Sequence, residues 1–118
     1  MRFTPEMITE YSKTSKIYVA LDNEVVVGTL RVDKNMYGGE NDYVFLTIFV
    51  LPEEQGKGIG RLLIESAEMR VKAIDAKTVS IPSSVMAHGF YHKLGYEYIN
   101  GKEPNLDGLI WVKKNIAL

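Results

Sequence analysis

Three glycines at alternate positions, Gly56, Gly58 and Gly60, lie in the segment Leu51-Pro52-Glu53-Glu54-Gln55-Gly56-Lys57-Gly58-Ile59-Gly60-Arg61. An apolar run precedes this segment and an amphipathic stretch follows it. Main-chain amides at the start of a helix have no intrahelical acceptor, and the helix dipole adds partial positive charge there. Glycines remove the side chains that would keep a phosphate away from those amides. At roughly 1.5–3 kcal/mol per charge-assisted hydrogen bond, three or four such bonds hold a diphosphate without any basic surplus. A plain glycine-rich turn with a helix cap fits the same residues equally well. Two nucleotide motifs are excluded by spacing. Counting from Gly56 puts Arg61, and from Gly58 puts Leu63, where a dinucleotide fingerprint needs its third glycine. A Walker loop needs Ser or Thr after Gly-Lys, but Gly58 follows Lys57.

Tyr91 is the second candidate, a phenol of a type that can serve as a general acid. Periodicity alone also lets it pack beside Phe90 and Leu94 on an apolar helix face. Lys57 suits either a phosphate or open solvent. Glu40, Asp42 and His92 are titratable side chains able to receive a proton, and Thr47 is no base. His88 and His92, four apart, share a helix face but have no third ligand in view, so no metal site is expected.

These residues need elements to hold them. Thr4-Pro5-Glu6 reads as a helix start, with a hydroxyl cap, proline at the first position and an early carboxylate, and predicts a helix to about Ser15. Ile17–Leu21 and Val25–Val32 flank Asp22-Asn23-Glu24 as a hairpin, with Gly28 marking a bulge or a close approach. Lys34–Asp42 is a loop. Tyr43–Leu51 reads as a strand buried on both faces at the centre of a sheet. A helix follows over about 58–74, its apolar stripe made by Ile59, Leu62, Leu63, Ala67, Val71 and Ile74. Thr78–Ile81 is a further strand. Ser83 is placed to cap a helix that stops at Gly95, and Tyr96–Ile99 and Leu109–Lys113 close as an antiparallel pair. The expected class is α/β (α+β), one domain over residues 1–118 with a mixed, mostly antiparallel sheet flanked by helices.

The 118 residues suit one core. Fourteen basic against fifteen acidic side chains offer nothing to drive phosphate-backbone binding, so nucleic acid is not an expected partner. The absence of cysteine excludes a disulfide scaffold, a thiolate metal site and a cysteine nucleophile. The longest apolar run, nine residues from Tyr43, is under half a membrane span, and the N-terminal residues do not read as a secretory signal. A cytoplasmic location is expected, with no membrane partner. A homodimer formed through edge strands is one open arrangement.

Gln55-Gly56-Lys57-Gly58-Ile59-Gly60 resembles the (Arg/Gln)-x-x-Gly-x-(Gly/Ala) signature of the GNAT superfamily of acyl-CoA N-acyltransferases. Ala87, Tyr91, Gly95 and Tyr96 match the spacing of that superfamily's later Asn-x-x-Ala-x-x-x-Tyr-x-x-x-Gly-(Phe/Tyr) helix, with Ser84 in place of its asparagine. The resemblance spans about residues 17–113 and implies acetyl-CoA, or another short acyl-CoA, as cosubstrate. It implies a diphosphate on the amides of Gln55, Gly56, Lys57, Gly58, Ile59 and Gly60, with Arg61 at the edge. The pantetheine arm would lie along Phe49, Val50 and Leu51, with Ser84 nearby and Tyr91 as general acid. The implied reaction is direct attack by an amine, of a small molecule or a peptide, on the thioester. Two departures stand out. The central-strand glutamate that often serves as base is absent, where Leu46-Thr47-Ile48 stands, and the N-terminal part is shortened. They leave a catalytically weak CoA-binding or partner-binding module as the alternative, and the acidic pair Glu40 and Asp42 tilts the expected acceptor towards a cation.

Overall fold

The structure, a computed structural model, describes residues 4–10 and 15–117, with side chains from residue 16 onward. In chain order it forms β1 (Thr4–Glu10), β2 (Ser15–Asp22), β3 (Val25–Lys34), β4 (Asp42–Val50), a 3-10 turn (Pro52–Glu54), α1 (Ile59–Lys72), β5 (Thr78–Ser83), α2 (His88–Lys93), β6 (Glu97–Tyr98) and β7 (Ile110–Asn115). The strands make one seven-stranded sheet, ordered β1-β2-β3-β4-β5-β7-β6, antiparallel everywhere except between β4 and β5. Among the described residues no helix is long and apolar enough to cross a membrane.

The N-terminal segment is a strand, not the expected helix. Thr4 to Glu10 pair with Leu21 to Lys16 of β2, and this ladder overrides the local capping signal. Pro5 is tolerated because β1 is the edge strand. The remainder of that expected helix, residues 11–14, lies outside the described residues.

The hairpin between β2 and β3 forms as expected. Asn23 and Glu24 both take positive φ, at 50° and 68°, the left-handed pair that a tight turn between twisted strands requires. Opposite Ala20 and Leu21 the register shifts, leaving Val27 as the extra residue. Gly28 lies where α1 presses on the sheet: a Cβ there would stand 3.0 Å from Ile59 Cγ2, 3.1 Å from Leu63 Cδ1 and 3.2 Å from the Phe49 carbonyl oxygen.

Helix α1 buries Ile59, Leu63, Ile64, Ala67 and Val71 against β2, β3 and β4. Ile74 lies beyond the helix end and is exposed, a departure from the expected stripe, and Ile64 takes its share of the core. Ser83 ends β5 and donates to the Ser84 carbonyl at 2.7 Å rather than capping a helix. Helix α2 starts later, at His88, with no side-chain cap. It is pinned by Tyr91 and the fully buried Tyr96. Tyr96 donates its hydroxyl to Glu68 Oε2 of α1 at 2.6 Å, and Lys114 of β7 donates to Glu68 Oε1 at 3.1 Å. Burial first, then the Glu68 carboxylate, raises the Tyr96 phenol and keeps it protonated.

The centre of the sheet positions everything that follows. β4 and β5 pair for only three residues: Asp42 with Thr78, Tyr43 with Val79 and Val44 with Ser80. Beyond Val44 they part, and β5 continues in register with β7. Between the pairs Arg31–Leu46 and Thr29–Phe49, β4 spends two residues, Thr47 and Ile48, against Leu30 alone. Thr47 takes φ 52°, costly for a β-branched residue, and the bulge bends the strand away. The expectation of burial on both faces therefore holds for Tyr43 to Phe45 and fails at Thr47 and Phe49, which are exposed.

The closed end of this fork is bolted by Asp42, which accepts from the Thr78 hydroxyl at 2.6 Å and from the Gly39 amide at 2.7 Å. Those two bonds, Thr78 first, hold its carboxyl below the usual aspartate range. The resulting stability is present above the ordinary aspartate value near 4 and is lost as pH falls through the lowered folded-state value. Urea unfolding of Asp42→Asn should show a loss of about 1 kcal/mol at pH 7, and the gap from the parent should narrow by pH 3. Gly28→Val should cost about 1–3 kcal/mol in the same assay, because Ile59, Leu63 and the β4 backbone meet the new side chain together.

Candidate functional site

Where β4 leaves β5, its main chain loses a hydrogen-bonding neighbour. The Leu51 N–H donates to the Val27 carbonyl at 2.9 Å and so points towards β3. By strand alternation, the main-chain groups of Val50 point the other way, into the gap. There the Gln55 side-chain amide donates to the Val50 carbonyl at 3.2 Å, tying the glycine segment to the strand edge.

The glycine segment turns through Gly56 at φ 85° and Gly58 at φ 84°. Both values lie in the left-handed region, which side chains resist, so these two positions require glycine. Gly58 is the N-cap of the 14-residue α1, and no side chain caps that end. The first-turn amides therefore remain available to an external acceptor. Gly60 is constrained by neither conformation nor space: a Cβ there would sit 3.5 Å from Phe90 Cζ and 3.8 Å from Val50 Cγ2, ordinary contact distances. A methyl therefore fits there.

Around this corner runs a cavity of about 500 Å³. Val50, Gln55, Gly56, Gly58, Ile59, Gly60 and Arg61, all expected from the sequence, line it. Ile48, Glu54, Ala87 and Phe90 complete the wall. The sequence reading passes over Ile48 and Phe90 as wall residues. Alternation makes Ile48 the same-face neighbour of Val50, and Phe90 stands three residues after Ala87 on one helix face, so both signals were present.

Other expected residues stand apart from the wall. Phe49 pairs with Thr29 and is half exposed, Leu51 is tied to β3, and Ser84 lies exposed in the turn after β5. Lys57 pairs with Glu54 at 2.7 Å and Arg61 with Glu65 at 3.2 Å. Exposed pairs of this kind contribute about 0–1 kcal/mol, so either cation can turn to an incoming anion at small cost. Tyr91 is buried in the core cluster directly after Phe90, its ring edge-on to Phe90 at 5.3 Å and to Tyr96 at 6.3 Å. Burial pushes its phenol up to about 12, so at neutral pH it holds its proton.

The remaining candidates are used elsewhere. His88 Nδ1 lies 2.8 Å from the Tyr98 hydroxyl and His92 Nδ1 lies 3.0 Å from the Tyr96 carbonyl. Glu40 and Asp42 belong to the opposite end of β4, about 20 Å from Ile48 along an extended strand at ~3.3 Å per residue.

Solved structures share this fold. The fold matches a GNAT-family acetyltransferase structure from Desulfovibrio desulfuricans with TM-score 0.79 and 17% identity, covering 88% of this chain and 70% of that one. It matches an aminoglycoside 6'-N-acetyltransferase complexed with coenzyme A with TM-score 0.77 and 19% identity, covering 91% and 76%. It matches the ribosomal-protein-S18-alanine N-acetyltransferase of Escherichia coli with TM-score 0.74 and 17% identity, covering 91% and 72%. At these identities the likeness is one of fold. The family description "Acetyltransferase (GNAT) domain" matches residues 2–118, essentially the whole chain, and the chain belongs to the GNAT acetyltransferase family.

Proposed function

We propose that this protein transfers an acetyl or other short acyl group from acyl-CoA to an amine by direct attack on the thioester. The observation that carries the reading is the uncapped N-terminus of α1, with left-handed Gly56 and Gly58 before it, opening on a cavity beside the parted edge of β4. In this reading the amides from Gln55 to Gly60 bind the diphosphate of coenzyme A, assisted by the dipole of α1. Lys57 and Arg61 turn from their carboxylates to the phosphates, and the pantetheine amides pair along Phe49, Val50 and Leu51 as an added strand. Ser84, exposed in the turn after β5, lies near the pantetheine arm in this reading. The amine attacks the thioester carbon, the C–S bond breaks, and Tyr91 protonates the sulfur. Its burial supports this role, since the phenol is protonated throughout the physiological range. The structural relative solved with coenzyme A supports the cofactor assignment.

Two measurements test the halves separately. Gly58→Ala should weaken coenzyme A binding about tenfold by calorimetry with the fold intact by circular dichroism, because a Cβ at φ 84° costs about 1–2 kcal/mol or re-aims the amides. Tyr91→Phe should lower turnover about 10²–10⁴-fold, followed as free thiol release, while coenzyme A affinity stays within a few-fold. Binding with no thiol release from the parent would instead make the chain a CoA-binding module.

A further inference from the structure

We propose that Glu68 is a positioning residue for the acyl transfer, holding Tyr91 at a fixed setting against α1 by way of the Tyr96 hydroxyl. The inference rests on the Tyr91 role proposed above and deepens it by naming what orients that phenol. A general acid must stay within hydrogen-bond reach of the atom it protonates, and a misplacement of about 1 Å can cost about 10²-fold in rate.

Tyr91 stands on a six-residue helix that starts without a side-chain cap. Among the described residues no group bonds its hydroxyl, so its ring contacts and its main chain must hold it. The ring is bracketed by two others, Phe90 edge-on at 5.3 Å and Tyr96 edge-on at 6.3 Å. The Tyr91 carbonyl accepts from the Leu94 N–H at 3.0 Å and from the Tyr96 N–H at 3.1 Å. Both bracketing residues reach α1. Phe90 lies over Gly60, and Tyr96 donates to Glu68. Gly60 and Glu68 are separated by about 12 Å along the helix, at ~1.5 Å per residue. Two anchors so spaced fix the angle of Tyr91 against α1 as well as its distance.

Of the two anchors, Tyr96 is the polar one. Its phenol is wholly buried, so the hydroxyl needs an acceptor, and Glu68 Oε2 at 2.6 Å supplies it. Lys114 donates to both carboxylate oxygens, at 3.1 and 3.3 Å, and its Nζ lies 5.6 Å from the Tyr96 ring centre. Gly95 leaves room for that side chain: a Cβ there would stand 3.2 Å from Lys114 Cε. Packing alone would be met by a phenylalanine at position 96, which needs no acceptor. A carboxylate and an ammonium drawn into the half-buried space behind it add cost, and what they add in return is a single orientation.

The test uses Tyr96→Phe, which keeps the ring and deletes the bond, in the parent and in Tyr91→Phe. Acetyl-CoA is offered with three probe amines, a peptide with a free N-terminus, a lysine peptide and a polyamine, and free thiol release is followed. In the parent background kcat should fall about tenfold while KM for acetyl-CoA stays within about twofold. In the Tyr91→Phe background the same substitution should change kcat by less than about twofold, because the group it positions is gone. Glu68→Ala should repeat the loss, and Glu68→Gln, which keeps an acceptor for the phenol, should restore most of it. In protein carrying tyrosine labelled with carbon-13 at Cζ, the Tyr91 signal, assigned by its loss in Tyr91→Phe, should shift or broaden in Tyr96→Phe. An equal loss in both backgrounds would mark a general loosening of the fold and overturn the inference, as would parent-like kcat in Tyr96→Phe or an unmoved Tyr91 signal. Parent-like turnover in Tyr91→Phe would instead remove the acid itself. Release to none of the three amines, by parent protein that binds coenzyme A, would remove the transferase reading. Either of those two results takes this inference with it.

Discussion

Everything at the candidate site depends on two parallel strands that hold together for three residues and then separate. The pairing of Asp42–Val44 with Thr78–Ser80 is short because β4 is bent by the Thr47–Ile48 bulge while β5 is held straight by β7. An unbroken sheet would have satisfied the Val50 main chain with a neighbouring strand and left no gap for α2 to border. Here the separation opens a wedge in the middle of the sheet. Helix α1 starts at one lip of that wedge, and Phe90 of α2 leans over the other. The strain at Thr47 and the missing strand pairs are costs, offset by the core that α1 builds on β2 and β3 and by the Asp42 bonds at the closed end.

The second support lies behind the site. Tyr96, Glu68 and Lys114 join the segment after α2 to α1 and to β7 through one carboxylate that accepts from both partners. A buried phenol and a half-buried ammonium are each costly alone, and sharing Glu68 removes both penalties at once.

Much of this was legible in the amino-acid order. The glycine segment, the amphipathic helix after it, the hairpin at Asp22-Asn23-Glu24 and the central placement of Tyr43–Leu51 all follow from local patterns of turn residues and apolar spacing that agree with the tertiary contacts. The first strand was not, since Thr4-Pro5-Glu6 carries a sound helical cap and only the distant edge of β2 makes it extended. Ser83 misled for the same reason: its hydroxyl is spent inside a strand turn, and α2 starts without a cap. At the site, the residues chosen by motif reach the wall where the backbone itself is the functional group. The carboxylates named on chemistry alone, Glu40 and Asp42, lie at the other end of β4 from the glycine corner, because which end of a strand a residue occupies depends on topology, and topology is what a linear reading sees least.

A sheet split down its middle carries a hazard that ordinary sheets confine to their two borders. The main chain of Val50 points into open space with the orientation of a strand awaiting a partner, and a stray extended segment from another molecule could dock there as readily as a ligand. The Gln55 amide occupies the Val50 carbonyl, so one of the acceptors an incoming strand would need is already bonded. The same side chain that steadies the glycine turn thus also covers part of this inner border.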